Sequence, residues 1–221
     1  MEQVVRILSI EPVTHNTKQF RVEKPEGYQF VPGQATEVSI NKPQWKEEKR
    51  PFTFTCLNNE PYLEFVIKSY RDHQGVTNEI DKLEPGDELI IRDVWGVIHY
   101  QGEGYFIAGG AGITPFIAVL RSLKKQNLLA GNQLFFSNKT PRDIILRNEL
   151  KAMLKSNAVF ITTQEQSPEL DFGKIDKDYL QSHIPDFTKH FYICGPDKMV
   201  SDLSKILLEL GAKPDAVIFE K

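Results

Sequence analysis

Among 221 residues there are only two cysteines, Cys56 and Cys194. Two thiols cannot ligate an iron–sulfur cluster or build a four-cysteine zinc site. They allow one disulfide at most, and nothing in the pattern asks for one, so a reducing compartment, the cytoplasm, is expected. The five histidines, His15, His73, His99, His183 and His190, show no metal-ligand spacing, and no Ser/His/Asp arrangement is recognisable. Metal binding and triad chemistry therefore have no support. No run approaches the roughly 20 apolar residues of a membrane span. Met1–Arg6 does not lead from a basic segment into an apolar one, so neither a signal peptide nor membrane insertion is expected. A net charge of −3 gives no general reason to expect nucleic acid. What is present is 40% apolar and 26% charged residues, the balance of a globular protein long enough for two domains of about 100 residues each.

The two halves differ in texture. Up to about residue 100, short segments rich in β-branched and aromatic residues read as strands: Val4–Ile10, Gln19–Val22, Thr36–Ile40, Phe52–Leu57, Leu63–Ser69 and Glu88–Arg92. Turn signals such as Lys24-Pro25-Glu26-Gly27, Val31-Pro32-Gly33 and Glu84-Pro85-Gly86-Asp87 separate them. Six such strands predict an antiparallel barrel. One helix, Val76–Leu83, interrupts it, with Thr77 expected as its N-cap. From Gly104 onward, apolar strands alternate with helical segments: Tyr105–Ala108 with Phe116–Lys125, Gln133–Ser137 with Ile144–Leu154, Ala158–Thr163 with Lys177–His183, and Phe191–Cys194 with Lys198–Leu210, closing on Ala216–Phe219. That alternation predicts a five-stranded parallel sheet flanked by helices. The expected division is residues 1–101 and 102–221, with Gly102-Glu103-Gly104 at the boundary.

Chemistry concentrates where strands end. Gly109-Gly110-Ala111-Gly112-Ile113-Thr114-Pro115 follows an apolar strand and opens a helix. Glycines let a backbone approach a pyrophosphate, and a helix start offers it N–H groups. The spacing Gly110-x-Gly112-x-x-Pro115 puts proline where the usual dinucleotide fingerprint has a third glycine, and proline suits a first helical turn. By itself the run is also compatible with a tight strand-to-helix connection. A second strand end carries Cys194-Gly195-Pro196; a lone cysteine there is equally a core residue. In the first half, Arg50-Pro51-Phe52-Thr53 opens a strand. Arginine can fork onto a phosphate, and Phe52, two residues on, shares its face. An ordinary strand start with an exposed arginine is the other reading.

Together these segments resemble the ferredoxin–NADP reductase-like flavoprotein reductases, over nearly the whole chain. The resemblance implies that Arg50 holds a flavin phosphate, that Phe52 stands in for the family's tyrosine against the isoalloxazine, and that Thr53 places its hydroxyl near flavin N5. It further implies that Val66, Ile67 and Lys68 run along the cofactor and that Gly75, Val76 and Thr77 form a phosphate-binding turn. Val31-Pro32-Gly33-Gln34 resembles the family's Pro-Gly-Gln turn, and Asp93-Val94-Trp95-Gly96 stands where members often carry Gly-Pro-x-Gly. Gly110, Gly112, Thr114 and Pro115 would hold the dinucleotide. Cys194, Gly195 and Pro196, followed by Met199, would form the nicotinamide side. Glu220 falls where some members carry a glutamate at the nicotinamide; the aromatic lid that follows it in those members is expected to be missing after Lys221.

The implied activity is hydride transfer from NADH or NADPH to a bound flavin, FAD in preference to FMN. It requires nicotinamide C4 close to flavin N5, with Thr53, Cys194 and Glu220 as the catalytic set. Thr163 and Gln164 occupy the place where NADPH-preferring members carry a 2′-phosphate-gripping arginine. A neutral Gln164 tilts the expectation to NADH, unless Lys139, Arg142 or Arg147 compensates. Without a fused iron–sulfur domain, the electrons are expected to leave to a separate ferredoxin, flavodoxin or oxygenase component, steered by Lys42, Lys46 and Lys49. A free flavin reductase and a non-catalytic dinucleotide-sensing module are the alternatives.

Overall fold

In the computed structural model, which describes residues 2–70 and 75–219, the first half folds into six strands. They are β1 (Gln3–Thr14), β2 (Thr17–Glu23), β3 (Ala35–Ile40), β4 (Arg50–Thr53), β5 (Tyr62–Lys68) and β6 (Glu88–Trp95), with the short helix α1 (Val76–Ile80) between the last two. All neighbours are antiparallel, in the order β4-β3-β6-β1-β2-β5. β1 is the corner strand. Gln3–Arg6 pair with β6, whereas Ile7–Thr14 pair with β2; an irregularity in register after Ile7 accompanies the change of partner, and a second follows Pro12. The two ends of the sheet meet through one bridge, Phe54 to Phe65. The barrel so formed encloses Val5, Phe20, Val22, Val38, Phe54, Leu63, Phe65, Leu89 and Ile91.

Buried within this barrel wall is a charge. Glu64 is 2% exposed yet sits in the apolar strand Leu63-Glu64-Phe65-Val66-Ile67. An unpaired carboxylate there would be strongly destabilising. Its oxygens accept from Gln19 Nε2 (2.8 Å), Arg21 Nε (3.2 Å), Thr55 Oγ1 (2.9 Å) and Arg121 Nη1 (2.6 Å).

The second half is a parallel sheet of β7 (Gly104–Gly109), β8 (Gln133–Asn138), β9 (Ala158–Thr162), β10 (Asp171–Phe172), β11 (His190–Cys194) and β12 (Val217–Phe219), joined by α2 (Thr114–Lys125), α3 (Arg147–Leu154), α4 (Lys177–His183) and α5 (Asp197–Glu209). The order is β10-β9-β8-β7-β11-β12. Chain progression therefore reverses between β7 and β11, the kind of switch point at which open α/β sheets bind ligands. One face of the sheet packs Tyr105, Ile107, Phe135, Phe191 and Ile193 against Leu180, Leu203 and Leu207 of α4 and α5. By compactness the chain divides into Met1–His99 with Thr114–Ser122, and Tyr100–Ile113 with Leu123–Lys221. Most of α2 thus groups with the barrel. Within the second unit, the buried Tyr192 hydroxyl accepts from Gln101 N and Gly102 N and donates to Gly102 O, which fastens the start of that unit to β11.

Several boundaries differ from the sequence reading. Thr77 does not cap α1: Gly75 does, in extended conformation and without a side-chain bond. Val76 and Ile80 are both fully buried, and putting them on one helical face draws Val76 inside the helix. β4 begins at Arg50 and is left at Phe54, because Phe54 and Thr55 cross to β5, where Thr55 N donates to Glu64 O at 2.8 Å. α3 begins at Arg147 rather than Ile144, since Thr140 and Asp143 form a capping box around a separate turn, Pro141–Asp143. The parallel sheet carries one strand more than the five expected, the two-residue β10 beside β9.

Cys56, against the Glu64 N–H and Tyr62 O, is 2% exposed, and burial pushes its thiol from an ordinary value near 9 up to about 12. The neutral thiol is therefore favoured by folding. Its contribution is complete below pH 9 and is lost as pH rises towards 12, by about 1.4 kcal/mol per pH unit in that window. The destabilisation caused by Cys56→Ala, measured by urea unfolding, should shrink by about 2 kcal/mol between pH 8 and pH 10.5. A difference independent of pH would show that the thiol ionises equally in both states.

Candidate functional site

Two constellations stand out, one in each unit. In the barrel, the strands that close the sheet are joined at the Phe54–Phe65 bridge and, beside it, by Thr55 and Glu64. Continuing the register beyond Phe54–Phe65 would pair Thr53 with Val66 and Phe52 with Ile67. Among the described residues no such ladder forms, and β4 stays with β3 through Ala35–Thr53, Thr36–Phe52 and Val38–Arg50. The result is a seam. Arg50, Pro51, Phe52 and Thr53 form one edge; Val66, Ile67 and Lys68 form the other. Strand residues alternate the direction of their N–H and C=O groups, so β5, bonded to β2 on one side, directs part of its backbone polarity into the seam.

The side chains along the first edge grade from wet to dry. The Arg50 guanidinium is 48% exposed; it donates to Lys49 O at 2.6 Å and lies 3.7 Å from Glu48. Such an exposed pair contributes little and yields readily to a stronger anion. Phe52 is half-buried and rests partly on the barrel core. Thr53 is 9% exposed. Gln34, of the Val31–Gln34 turn, accepts from Phe54 N at 3.1 Å through its carbonyl, and its side chain accepts from Val31 N at 2.8 Å. That turn thereby holds the dry end of the seam. Gly75, Val76 and Thr77 begin α1, which is anchored in the core by Val76 and Ile80.

In the second unit, the expected turns lie at the carboxyl ends of β7 and β11, the two strands flanking the switch point. Cys194 pairs with Ala108 in register. Gly110–Ile113 form a single 3-10 turn, and Thr114 and Pro115 then open α2. The glycines have different duties. Gly110 has φ +54, and a Cβ there would meet nothing within 4 Å; its lack of a side chain serves conformation and leaves the turn open. A Cβ on Gly112 would collide with the carbonyl of Cys194 and with Gly195 N. The two turns are thus pressed backbone to backbone. Gly109 adds to this, since a Cβ there would stand 2.6 Å from Met199 Sδ and 3.0 Å from Pro196 Cδ. Cys194 is half-buried and Pro196 exposed at this edge.

Two strands away, Thr163 and Gln164 leave the end of β9 as an extension of the sheet. Thr163 N donates to Asn138 O and Gln164 N to Lys139 O, both at 2.9 Å. Exposed Gln164 and exposed Lys139 are therefore neighbours. Arg147 is engaged elsewhere, 3.1 Å from Glu169 and over the Phe160 ring. Glu220 lies outside the described residues. Among the described residues no group of three or more His, Cys, Asp or Glu is placed to hold a metal, and no helix is long and apolar enough to cross a membrane.

Comparison with known proteins meets this geometry half by half. Residues 4–100 match the oxidoreductase FAD-binding domain family and residues 106–205 the oxidoreductase NAD-binding domain family. The chain belongs to the ferredoxin–NADP reductase-like flavoprotein reductases. It is an FAD- and NAD-binding oxidoreductase. Among curated proteins, it is 26% identical to the reductase component of propane 2-monooxygenase from Rhodococcus jostii, over 98% of this chain and 62% of that protein, so it spans less than two thirds of that relative. It is 28% identical to NADH-cytochrome b5 reductase 1 of Eremothecium gossypii, over 96% of this chain and 81% of that one. Among solved structures, the fold matches a ferredoxin NADP+ reductase from Neisseria gonorrhoeae with bound FAD and NADP, at TM-score 0.86 and 21% identity, over 99% and 98% of the two chains.

Glu64 and Arg121 escaped the sequence reading of this flavoprotein reductase. The available signal was a carboxylate inside an otherwise continuous apolar strand, which persists only if paired. Its partner, 57 positions away, has no local signature.

The glycine geometry makes a graded prediction. Gly110→Ala should cost about 1–2 kcal/mol, the usual penalty of the left-handed region. Gly112→Ala should cost about 3 kcal/mol or more, because backbone must move. Urea unfolding of the two variants checks the order; an equal or milder effect at Gly112 would contradict the packing described.

Proposed function

We propose that this chain takes hydride from NADH onto a non-covalently bound FAD and passes the electrons to a separate carrier. The observation that carries the reading is the barrel seam, where an exposed guanidinium, an aromatic ring and a buried threonine follow one another along one strand edge. The donor set suits the cofactor. Arg50 would hold the flavin phosphate in a forked geometry. Phe52 would support the ring system, without the phenol bond that tyrosine would add. Thr53 would hold a hydrogen bond at N5. Val66, Ile67 and Lys68 would offer backbone groups along the opposite edge, and the α1 start at Gly75, Val76 and Thr77 would complete the phosphate site.

In the second half of the sequence, Gly110, Gly112, Thr114 and Pro115 would receive the pyrophosphate at the α2 start. Cys194, Gly195 and Pro196 would pack beside the nicotinamide, with Glu220 assigned to the same pocket by resemblance alone. The flavin, when bound, supplies the conversion between two-electron and one-electron chemistry; the chain supplies position and exclusion of water.

The lysines beside β4 support a reading of the acceptor. Lys42 and Lys49 lie only within 3.7 Å and 3.9 Å of Asp87 and Glu2, and Lys46 is exposed on the same loop. Their charge suits an acidic carrier such as a ferredoxin or flavodoxin, or an oxygenase component, more through encounter rate than affinity. The Rhodococcus jostii relative is named as an oxygenase reductase component, and the Eremothecium gossypii one as a cytochrome b5 reductase. Two free thiols support placing the protein in the cytoplasm.

The flavin role is tested with Arg50→Ala. The variant should fold, retain well under a tenth of its flavin after extensive dialysis, and recover reductase activity when FAD is added back. Full retention would remove the phosphate role of Arg50. A wild-type protein that never holds flavin stoichiometrically, but turns it over, would instead be a free flavin reductase.

The dinucleotide preference is tested with Gln164→Arg. NADH should serve the wild type at least as well as NADPH, and the variant should gain towards NADPH in kcat/KM, since a guanidinium can fork onto the 2′-phosphate. The gain should fade with salt, because position 164 is exposed. A wild-type preference for NADPH of tenfold, about 1.4 kcal/mol, would transfer the role to Lys139, the cation beside Gln164.

A further inference from the structure

The seam opens from one point, and that point is clamped from a distant part of the chain. Next to the closing bridge, Thr55 and Glu64 face each other across β4's continuation and β5. Arg121 Nη1 reaches both sides of this pair, donating to Thr55 O at 2.8 Å and to Glu64 Oε1 at 2.6 Å. Its side chain is 21% exposed against 2% for the carboxylate, so the interaction is poorly screened by water or salt. Arg21 also approaches Glu64, but differently. It is 37% exposed, reaches Glu64 through Oε2 at 3.2 Å, lies 3.8 Å from Glu11, and sits over the Tyr62 ring. It touches one strand side of the seam; Arg121 touches both.

We propose that Arg121 is a positioning residue for the flavin: by tying the Thr55 carbonyl to the Glu64 carboxylate it fixes the separation of Arg50–Thr53 from Val66–Lys68. The proposal rests on the flavin reading above and extends it. Arg121 belongs to α2, the helix that follows the glycine turn, and it lies within the residues that match the NAD-binding family rather than the FAD-binding one. Retention of flavin by the barrel thus depends on a side chain that the second half of the sequence supplies. The register explains the leverage. From Phe54–Phe65 the two edges diverge over only three or four residues, so a small displacement of the Thr55–Glu64 pair shifts the spacing of every group along them.

The test compares FAD binding, by quenching of flavin fluorescence on titration, and the visible spectrum of the FAD-saturated protein. Arg121→Met should weaken FAD binding at least tenfold and alter the fine structure of the visible bands. Arg121→Lys, which keeps the charge within reach, should recover most of the affinity. Arg21→Met should change it less than threefold. If Arg121→Met does not fold, the Glu64→Gln/Arg121→Met protein, which buries no lone charge, should show the same tenfold loss. Wild-type affinity and spectrum in the single variant, or in the double variant where that is measured, would overturn the proposal, as would an Arg21→Met defect equal to that of Arg121→Met. A wild-type protein without affinity for FAD would overturn the flavin reading itself, and this proposal with it.

Discussion

The barrel depends on a sheet that returns to its own beginning through a single bridge. Six strands curl until Phe54 meets Phe65, and the same two rings are part of the core that the curl encloses. Closure and burial are therefore one event. Phe54 stacks on Phe30 with ring centroids 4.3 Å apart and meets Phe65 at 5.3 Å, so the aromatic cluster that fills the barrel also sets where its edges touch. A longer ladder would have been firmer, but it would have consumed the strand edges that the seam leaves open. The proposed flavin site would occupy the hydrogen-bonding capacity that closure did not use.

The parallel unit meets the opposite requirement. There the candidate site arises from crowding rather than from a gap. Reversal of chain progression brings the ends of β7 and β11 side by side, and each then turns away into a helix. Two turns can occupy that corner only if their backbones approach without side chains between them. Gly109, Gly112 and Gly195 meet that need, while Gly110 answers to conformation alone.

Much of this was legible in the sequence because period and punctuation carried it. Strand and helix alternation after Gly104, and turn residues between short strands before it, follow from which faces must be buried. The turns of the candidate site were legible as turns because glycine and proline at a strand end admit few geometries. The failures share a cause. Thr77 looks like a cap by type, but the burial of Val76 one residue earlier moved the helix start. β10 is too short for a two-residue period to register. Ile144 reads as helical by its neighbours, yet a capping box at Thr140 and Asp143 ends a separate turn before it. Glu64 needs a partner that no local window contains.

The division of labour among the glycines has an evolutionary corollary. A descendant that abandoned its dinucleotide would still be held to glycine at position 112, because the Cys194 carbonyl occupies the space a methyl group would take. Position 110 would be released to drift, towards asparagine first, the residue that best tolerates the left-handed backbone. In such a lineage the glycine facing open space would disappear long before the one that is packed.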